Sequence, residues 1–364
     1  MANNTRFLSI IIPCYNVADY LIGTIDSLRN LKDAEDCEFI FINDGSTDNT
    51  LAIIQDFAKT DNRVLVINKK NAGVSAARND AIQIASGLYI LPLDGDDRLA
   101  PQAISIIKNS IKNADMLICP VQIVTEGNII DTALPFREGE YTPYTLFKAG
   151  KSFPTAPKLV YKTSILKTHD IKFNENIHAG EVLTFSLNFL KYCNTIKVSH
   201  NSFYQYVMRE TSAIHAPNFK KDLTVLDIID AISINTDSTI THLPSFWETL
   251  FKMCASFTYN KYAKLGLKDG QTIDVIKNLL HHDGFKYLLK KLSCSIGHYT
   301  RDRLLAVIRL YRVDLFRLAK LDLCNELHTL SDCLQAQDEC AHQDRLAQDH
   351  QSLDVCRLLQ RLRH

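Results

Sequence analysis

The chain has 364 residues, 46% hydrophobic and 23% charged, which allows about two ordinary domains and is too apolar for a disordered chain. Lysine plus arginine and aspartate plus glutamate both total 41, so net charge gives no reason to expect nucleic acid as a partner. The ten cysteines are scattered without CxxC or His–Cys metal spacing, and the apolar run before Pro13 is too short for a signal-peptide core. The expectation is therefore reduced thiols in a cytoplasmic protein with no membrane-spanning helix.

"FLSIII" (7–12) reads as a buried strand, followed by a helix over 18–31. "EFIFIN" (38–43) is a second strand. "DGSTDNT" then turns the chain into a helix through Thr60, with Ser46, Thr47 and Asp48 expected to cap it. "VLVIN" (64–68), the helical "SAARNDAIQIAS" and the strand "LYILPL" (88–93) continue the alternation. Strands separated by helices of about 10 to 15 residues predict a parallel sheet covered on both faces.

In such sheets ligands bind beyond the carboxyl ends of the strands. "PCYN" follows the first strand, "DGSTD" the second, "NKKNAG" the third and "DGDD" the fourth. All four polar clusters therefore fall on one edge. Farther on, "MLICPVQIV", "TIKVS" and "SFYQYVM" are strand-like and "GEVLTFSLNFLKY" is helical. The expected organisation is an α/β domain over 1–217, a helical region over 218–330, and a polar tail over 331–364 that is helical or partly disordered.

With these motifs in place, the first 215 residues or so resemble a family 2 glycosyltransferase with a GT-A fold. That fold is Rossmann-like, a mostly parallel sheet with helices on both faces. "SIIIPCYNVADYLIGTIDSL", "FINDGSTDNT", "NAGVSAARNDAI" and "YILPLDGDD" occur in the family's order and at its intervals. A lone DxD would be weak evidence, whereas four ordered motifs are strong. The resemblance implies an inverting, metal-dependent transfer from a nucleotide sugar, a UDP-sugar in the first instance, to a polysaccharide or lipid-linked glycan such as a lipopolysaccharide or capsule precursor.

Residue by residue, the resemblance places Mn²⁺ or Mg²⁺ at Asp96, with Asp97 as a neighbouring ligand or a residue just behind it. Asp94 would meet the ribose hydroxyls, and Gly95 would let backbone approach the ligand. Asp44, Pro13 and Tyr15 would line the base pocket, and Arg78 would reach the base or the diphosphate. The family's catalytic base comes from an acidic pair at a helix start. Here "HAGEVLTF" (178–185) supplies Glu181 with Val182 in the second position. Glu181 is taken as the base, and His178 as a loop histidine. Arg209 matches a late segment that folds over the donor, and His215 is read as a surface residue.

Between 286 and 320 basic side chains outnumber Asp302 and Asp314 and alternate with leucines and aromatics. That pattern suits either an anionic membrane surface or packing within the protein. The missing second carboxylate keeps one alternative open, a non-catalytic sugar-nucleotide or carbohydrate-binding module. A nucleotidyltransferase is set aside, because "PCYNVADY" has neither glycine nor a cation to cradle phosphate.

Overall fold

The computed structural model describes residues 6–208, apart from 126–127, 150–152 and 154–157, together with parts of 221–255. The chain divides into two compact units, Met1–Leu288 and Leu289–His364, and all the described residues lie in the first. Arg209, His215, the basic stretch 286–320 and the tail 331–364 lie outside the described residues.

The strand-and-helix alternation read from the sequence is present. It runs β1 (Leu8–Cys14), α1 (Ala18–Arg29), β2 (Cys37–Asp44), α2 (Thr50–Thr60), β3 (Val64–Lys69), α3 (Val74–Ile84) and β4 (Tyr89–Pro92). β1 and β2 are buried along their whole length, as β-branched and aromatic runs covered on both sheet faces should be. In the main sheet these strands lie in the order β3-β2-β1-β4, at one edge of eight strands. Its first four strands are all parallel.

The chain winds outward from β1 to β3, then returns across β1 to place β4 on its other side. That reversal leaves a crevice between the carboxyl ends of β1 and β4, where open α/β sheets bind ligands. "PCYN" and "DGDD" flank it.

β5 (Arg98–Leu99) and α4 (Ala103–Ile111) lead to β6 (Met116–Cys119). "MLICPVQIV", read as one strand-like piece, is two strands in two sheets. Pro120, which has no N–H to donate, separates β6 from β7 (Val121–Thr125). β7 pairs with β8 (Asn128–Asp131) and with β12 (Tyr204–Val207) in a smaller sheet of order β5-β12-β7-β8.

The main sheet is completed by β9 (Gly139–Tyr141), β10 (Lys158–Lys162) and β11 (Ile196–Val198). β10 runs antiparallel between β4 and β6. The helices α5 (Pro143–Lys148), α6 (Thr163–Thr168) and α7 (Glu181–Leu190) connect these strands.

Packing onto this unit continues past residue 217. The helix Pro244–Ala255 buries Phe246 and Trp247. The Phe246 ring meets Phe147 of α5 at 5.7 Å, and Thr249 accepts a hydrogen bond from the Phe153 N–H at 2.8 Å. Among the described residues, no helix is long and apolar enough to cross a membrane.

Candidate active site

Hydrogen bonds stitch the loops after β1 and β2 together. Ser46 Oγ accepts from the Asn16 N–H at 3.1 Å, and Asn16 Oδ1 accepts from the Thr47 N–H at 2.8 Å. Thr50 Oγ1 accepts from the Val17 N–H, and Asp48 Oδ2 from the Ala18 N–H. These last two serve the start of α1, whose first N–H groups have no partner within the helix.

The expectation that Ser46, Thr47 and Asp48 simply cap the second helix is thereby corrected. Asn49 precedes that helix and makes no side-chain capping bond. Only Asp48 serves α2, accepting from the Thr50 N–H. The physical reason is the closeness of β1 and β2, which brings the Asn16 turn within reach of these side chains.

Asp44 ends β2 and is 2% exposed. Its two carboxylate oxygens accept the Ala72 and Gly73 N–H groups at 2.9 and 2.8 Å, so it braces the "NAG" loop. Gly45 has φ +71, and a Cβ there would stand 2.6 Å from the Asn71 nitrogen. Only glycine fits. Pro13 lies in the buried end of β1, and the Tyr15 side chain is 51% exposed just beyond it.

"DGDD" is a tight turn, closed by the Asp97 N–H donating to the Asp94 carbonyl at 3.0 Å. It is pressed onto the end of β1. A Cβ on Gly95 would meet Cys14 Sγ at 3.0 Å and the Pro13 carbonyl oxygen at 3.1 Å. Thr24 Oγ1 donates to the Gly95 carbonyl from α1.

The three carboxylates of the turn have different fates. Asp97 is 1% exposed. Its Oδ2 accepts from the Tyr204 hydroxyl at 2.6 Å and its Oδ1 from the Val207 N–H at 3.0 Å. These two bonds tie the "DGDD" turn to β12. Burial and the charge of Asp94 push its pKa up to about 6.

Asp94 has the opposite fate. Burial opposes its charge, but Lys158 and Arg78 outweigh that and hold it well below the usual carboxylate range. Asp96 occupies the turn itself and is half-buried.

Arg78 joins the turn to α7. It is 5% exposed. Burial works against its charge, but Asp94 and Glu181 more than offset that and push its pKa up. One guanidinium nitrogen donates to Asp94 Oδ1 at 2.8 Å and the other to Glu181 Oε1 at 3.0 Å. The guanidinium also lies 5.2 Å from the centre of the Phe173 ring. Its Nε–H is buried without a partner, an orphaned donor in the middle of the cluster.

Glu181 is the first residue of α7, where a negative charge suits the helix dipole. Val182 follows it. His178 is exposed, and its backbone N–H donates to Thr224 Oγ1.

Three further side chains take part, two of which, Lys158 and Tyr204, sequence reasoning missed. Asn79 clasps the backbone of Phe173 in both directions, donating to its carbonyl at 2.9 Å and accepting its N–H at 2.8 Å, which anchors the segment leading to Glu181. Lys158 lies 3.4 Å from Asp94 Oδ2. Tyr204 links Asp97 to the backbone, since its hydroxyl also accepts the Asp94 N–H at 3.1 Å. Asn79 stands beside Arg78 in "ARN", and that adjacency was the available signal. Lys158 and Tyr204 gave none, because the strands that carry them reach the site only through the sheet order.

Among the described residues, no group of three or more His, Cys, Asp or Glu side chains is placed to hold a metal ion by itself. The chemistry of the donor set still fits a hard divalent cation. Carboxylate oxygens at Asp96 suit Mg²⁺ or Mn²⁺, and a bound diphosphate would supply the remaining oxygens.

This geometry coincides with a known family. The glycosyl transferase family 2 model matches residues 9–168, from β1 through α6. The poly(ribitol-phosphate) beta-glucosyltransferase of Bacillus spizizenii is 31% identical over 242 residues, covering 62% of this chain and 36% of that protein. The teichoic acid poly(glycerol phosphate) polymerase of Staphylococcus epidermidis is 29% identical over 234 residues, 62% of this chain and 32% of that one. The chain thus spans about a third of the length of these two curated relatives.

Among solved structures, S. aureus TarS 1-349 in complex with UDP-GlcNAc superposes with a TM-score of 0.63 at 21% identity. The match covers 85% of this chain and 88% of that one. The fold is GT-A.

Proposed function

We propose that the chain is an inverting glycosyltransferase. It moves a hexosyl or N-acetylhexosaminyl group from a nucleotide sugar, taken to be a UDP-sugar, to a hydroxyl of a growing polysaccharide or lipid-linked glycan. The observation that carries this reading is the line Asp94–Arg78–Glu181 at the crevice between β1 and β4 of a family 2 domain. The names of the relatives, a glucosyltransferase and a teichoic acid polymerase, and the UDP-GlcNAc held by TarS support the substrate class.

On this reading Pro13, Tyr15 and Asp44 receive the base, Asp94 the ribose, and Arg78 the diphosphate side. Glu181 takes the proton from the acceptor hydroxyl as its oxygen attacks the anomeric carbon and the bond to the diphosphate oxygen breaks. Arg78 fixes the Glu181 carboxylate in place, so no search over rotamers precedes the transfer. Asp96 would hold Mn²⁺ or Mg²⁺, which offsets the charge that develops on the departing nucleoside diphosphate. Arg209 is assigned to the donor side by resemblance alone. The protein would work in the cytoplasm, peripheral to the inner face of the membrane that carries such acceptors.

The test is sugar transfer from a panel of UDP-sugars to teichoic-acid-type and lipid-linked acceptors, with Glu181→Gln as control. Transfer by the wild type, with E181Q inactive but still binding donor, supports the assignment. Donor binding by the wild type without transfer to any acceptor would favour the non-catalytic module that Val182 keeps open. Full turnover by E181Q would remove Glu181 as base.

A further inference from the structure

Lys158 has no part in the chemistry described above, yet it stands against the centre of the site. It opens β10, which runs antiparallel beside β4, and its side chain is 21% exposed. Its ammonium nitrogen lies 3.8 Å from the centre of the Tyr204 ring and 3.4 Å from Asp94 Oδ2. Tyr204 is fully buried, and its hydroxyl fixes both Asp97 and the Asp94 N–H. The ammonium is therefore held between an aromatic face and a carboxylate, where cation–π attraction and the ion pair act together.

The division of Asp94 is the informative point. Arg78 takes its Oδ1 at 2.8 Å and Lys158 its Oδ2. A carboxylate gripped at both oxygens by cations from two different elements has lost its freedom to turn about the Cβ–Cγ bond. Without Lys158, Asp94 would be free to pivot about its bond to Arg78. The charges of Asp94 and Asp97, carried by one four-residue turn, would also oppose each other with less compensation.

We propose that Lys158 is a positioning residue for the sugar-nucleotide donor, holding Asp94 in the one orientation in which it receives the donor. This rests on the glycosyltransferase reading. Lys158 acts through Asp94 rather than on the donor, and the Tyr204 ring sets the height at which its ammonium meets the carboxylate.

A double-mutant cycle separates this from a purely structural lysine. Lys158→Met keeps the aliphatic stem and removes the charge. Binding of the UDP-sugar that the wild type accepts, measured by calorimetry with Mn²⁺, should weaken about 10- to 100-fold, the range expected for one charge-assisted hydrogen bond. The donor KM should rise similarly, with kcat at saturation little changed. Asp94→Asn should weaken binding as well, and K158M combined with D94N should bind no worse than D94N alone. Lys158→Arg, which can meet both the ring and the carboxylate, should recover most of the affinity. If K158M does not fold, Lys158→Gln, which keeps an N–H donor without the charge, takes its place in the cycle.

Wild-type affinity in K158M or K158Q overturns the proposal. So does a double variant in which the two losses multiply, since that would put Lys158 on the donor itself or in the general fold. A wild type that binds no sugar nucleotide removes the glycosyltransferase reading and this inference together, an outcome distinct from the other two.

Discussion

The two ends of the parallel sheet handle buried charge in opposite ways. At the amino-terminal end Glu38 is 2% exposed and is surrounded by local donors. The Ser86 N–H and hydroxyl meet its Oε1 at 2.6 and 3.0 Å, the Ser9 hydroxyl donates to the same oxygen, and Arg6 lies 3.1 Å from Oε2. One carboxylate faces one cation and several neutral donors, so its charge is matched locally, and the group ties β1 and β2 to the start of β4 even though Arg6 Nη1 makes no hydrogen bond.

At the carboxyl end Asp94, Asp97 and Glu181 are grouped around Arg78 and Lys158, and Asp96 lies in the same turn as Asp94 and Asp97. Arg78 Nε has no partner there, and Asp97 is pushed up to about 6. On the proposed reading, a cluster with more carboxylates than cations is arranged for something that arrives from outside. The same side-chain types then serve, on that reading, stability at one end and binding at the other.

The sharpest way to break this contrast is Arg78→Ala. It leaves two carboxylates facing each other without their shared cation. Removing one partner of a buried ion pair costs about 3–5 kcal/mol, so urea unfolding should show a large loss and transfer should vanish. If R78A unfolds at the wild-type midpoint, the bridge between Asp94 and Glu181 carries little energy.

Asp96→Ala comes next. Metal-dependent donor binding should disappear while the unfolding midpoint stays close to wild type, since Asp96 is half-buried in a turn whose backbone bond from Asp97 to Asp94 remains. Retained Mn²⁺-dependent binding would show that the cation is held elsewhere.

Glu38→Gln probes the other end. It should lower stability by about 1–3 kcal/mol, the range for weakened hydrogen bonds to a buried charge, with donor affinity of the folded protein unchanged. A loss of donor affinity would mean that the two ends are not separable.

The smallest effect expected is in acid. Burial opposes the charge of Asp115, but the Asn194 and Thr195 N–H groups and Lys162 outweigh it and lower its pKa. A carboxylate depressed in the folded state contributes stability above its unfolded pKa of about 3.9, and that contribution is lost as pH falls through the folded value. Asp115→Asn should therefore be less stable than wild type at neutral pH, and the gap should narrow below about pH 4. An unchanged gap at pH 3 would contradict the assigned shift.

What was legible in the sequence were features written locally. Each of β1 to β4 is a short, mostly apolar run, interrupted near its start by Ser9 in β1 and Glu38 in β2, and the motif that ends it follows directly, so the edge carrying Asp44, Arg78 and Asp94 could be read from the alternation alone. What escaped depends on contacts between distant segments. The Lys158 contact with Asp94 spans 64 positions, and the Tyr204 and Val207 bonds to Asp97 span 107 and 110. No local pattern announces that β10 inserts antiparallel beside β4, or that Pro120 sends β7 into a second sheet with β12. The partners of Asp97 were hidden for this reason. In the sequence this residue is one of three crowded carboxylates, and only the approach of β12 shows that its oxygens are already engaged. Glu181 lies 103 positions from Arg78, and it was found only because the helix start carrying it resembles a family motif.

The central claim is that the crevice between β1 and β4 is a sugar-nucleotide site. Titration calorimetry of the purified protein with a panel of nucleotide sugars, in Mn²⁺ and then in EDTA, tests it most directly. The account predicts saturable binding of a UDP-sugar that is lost in EDTA and absent in D96A. Folded protein that binds no nucleotide sugar under either condition would contradict it.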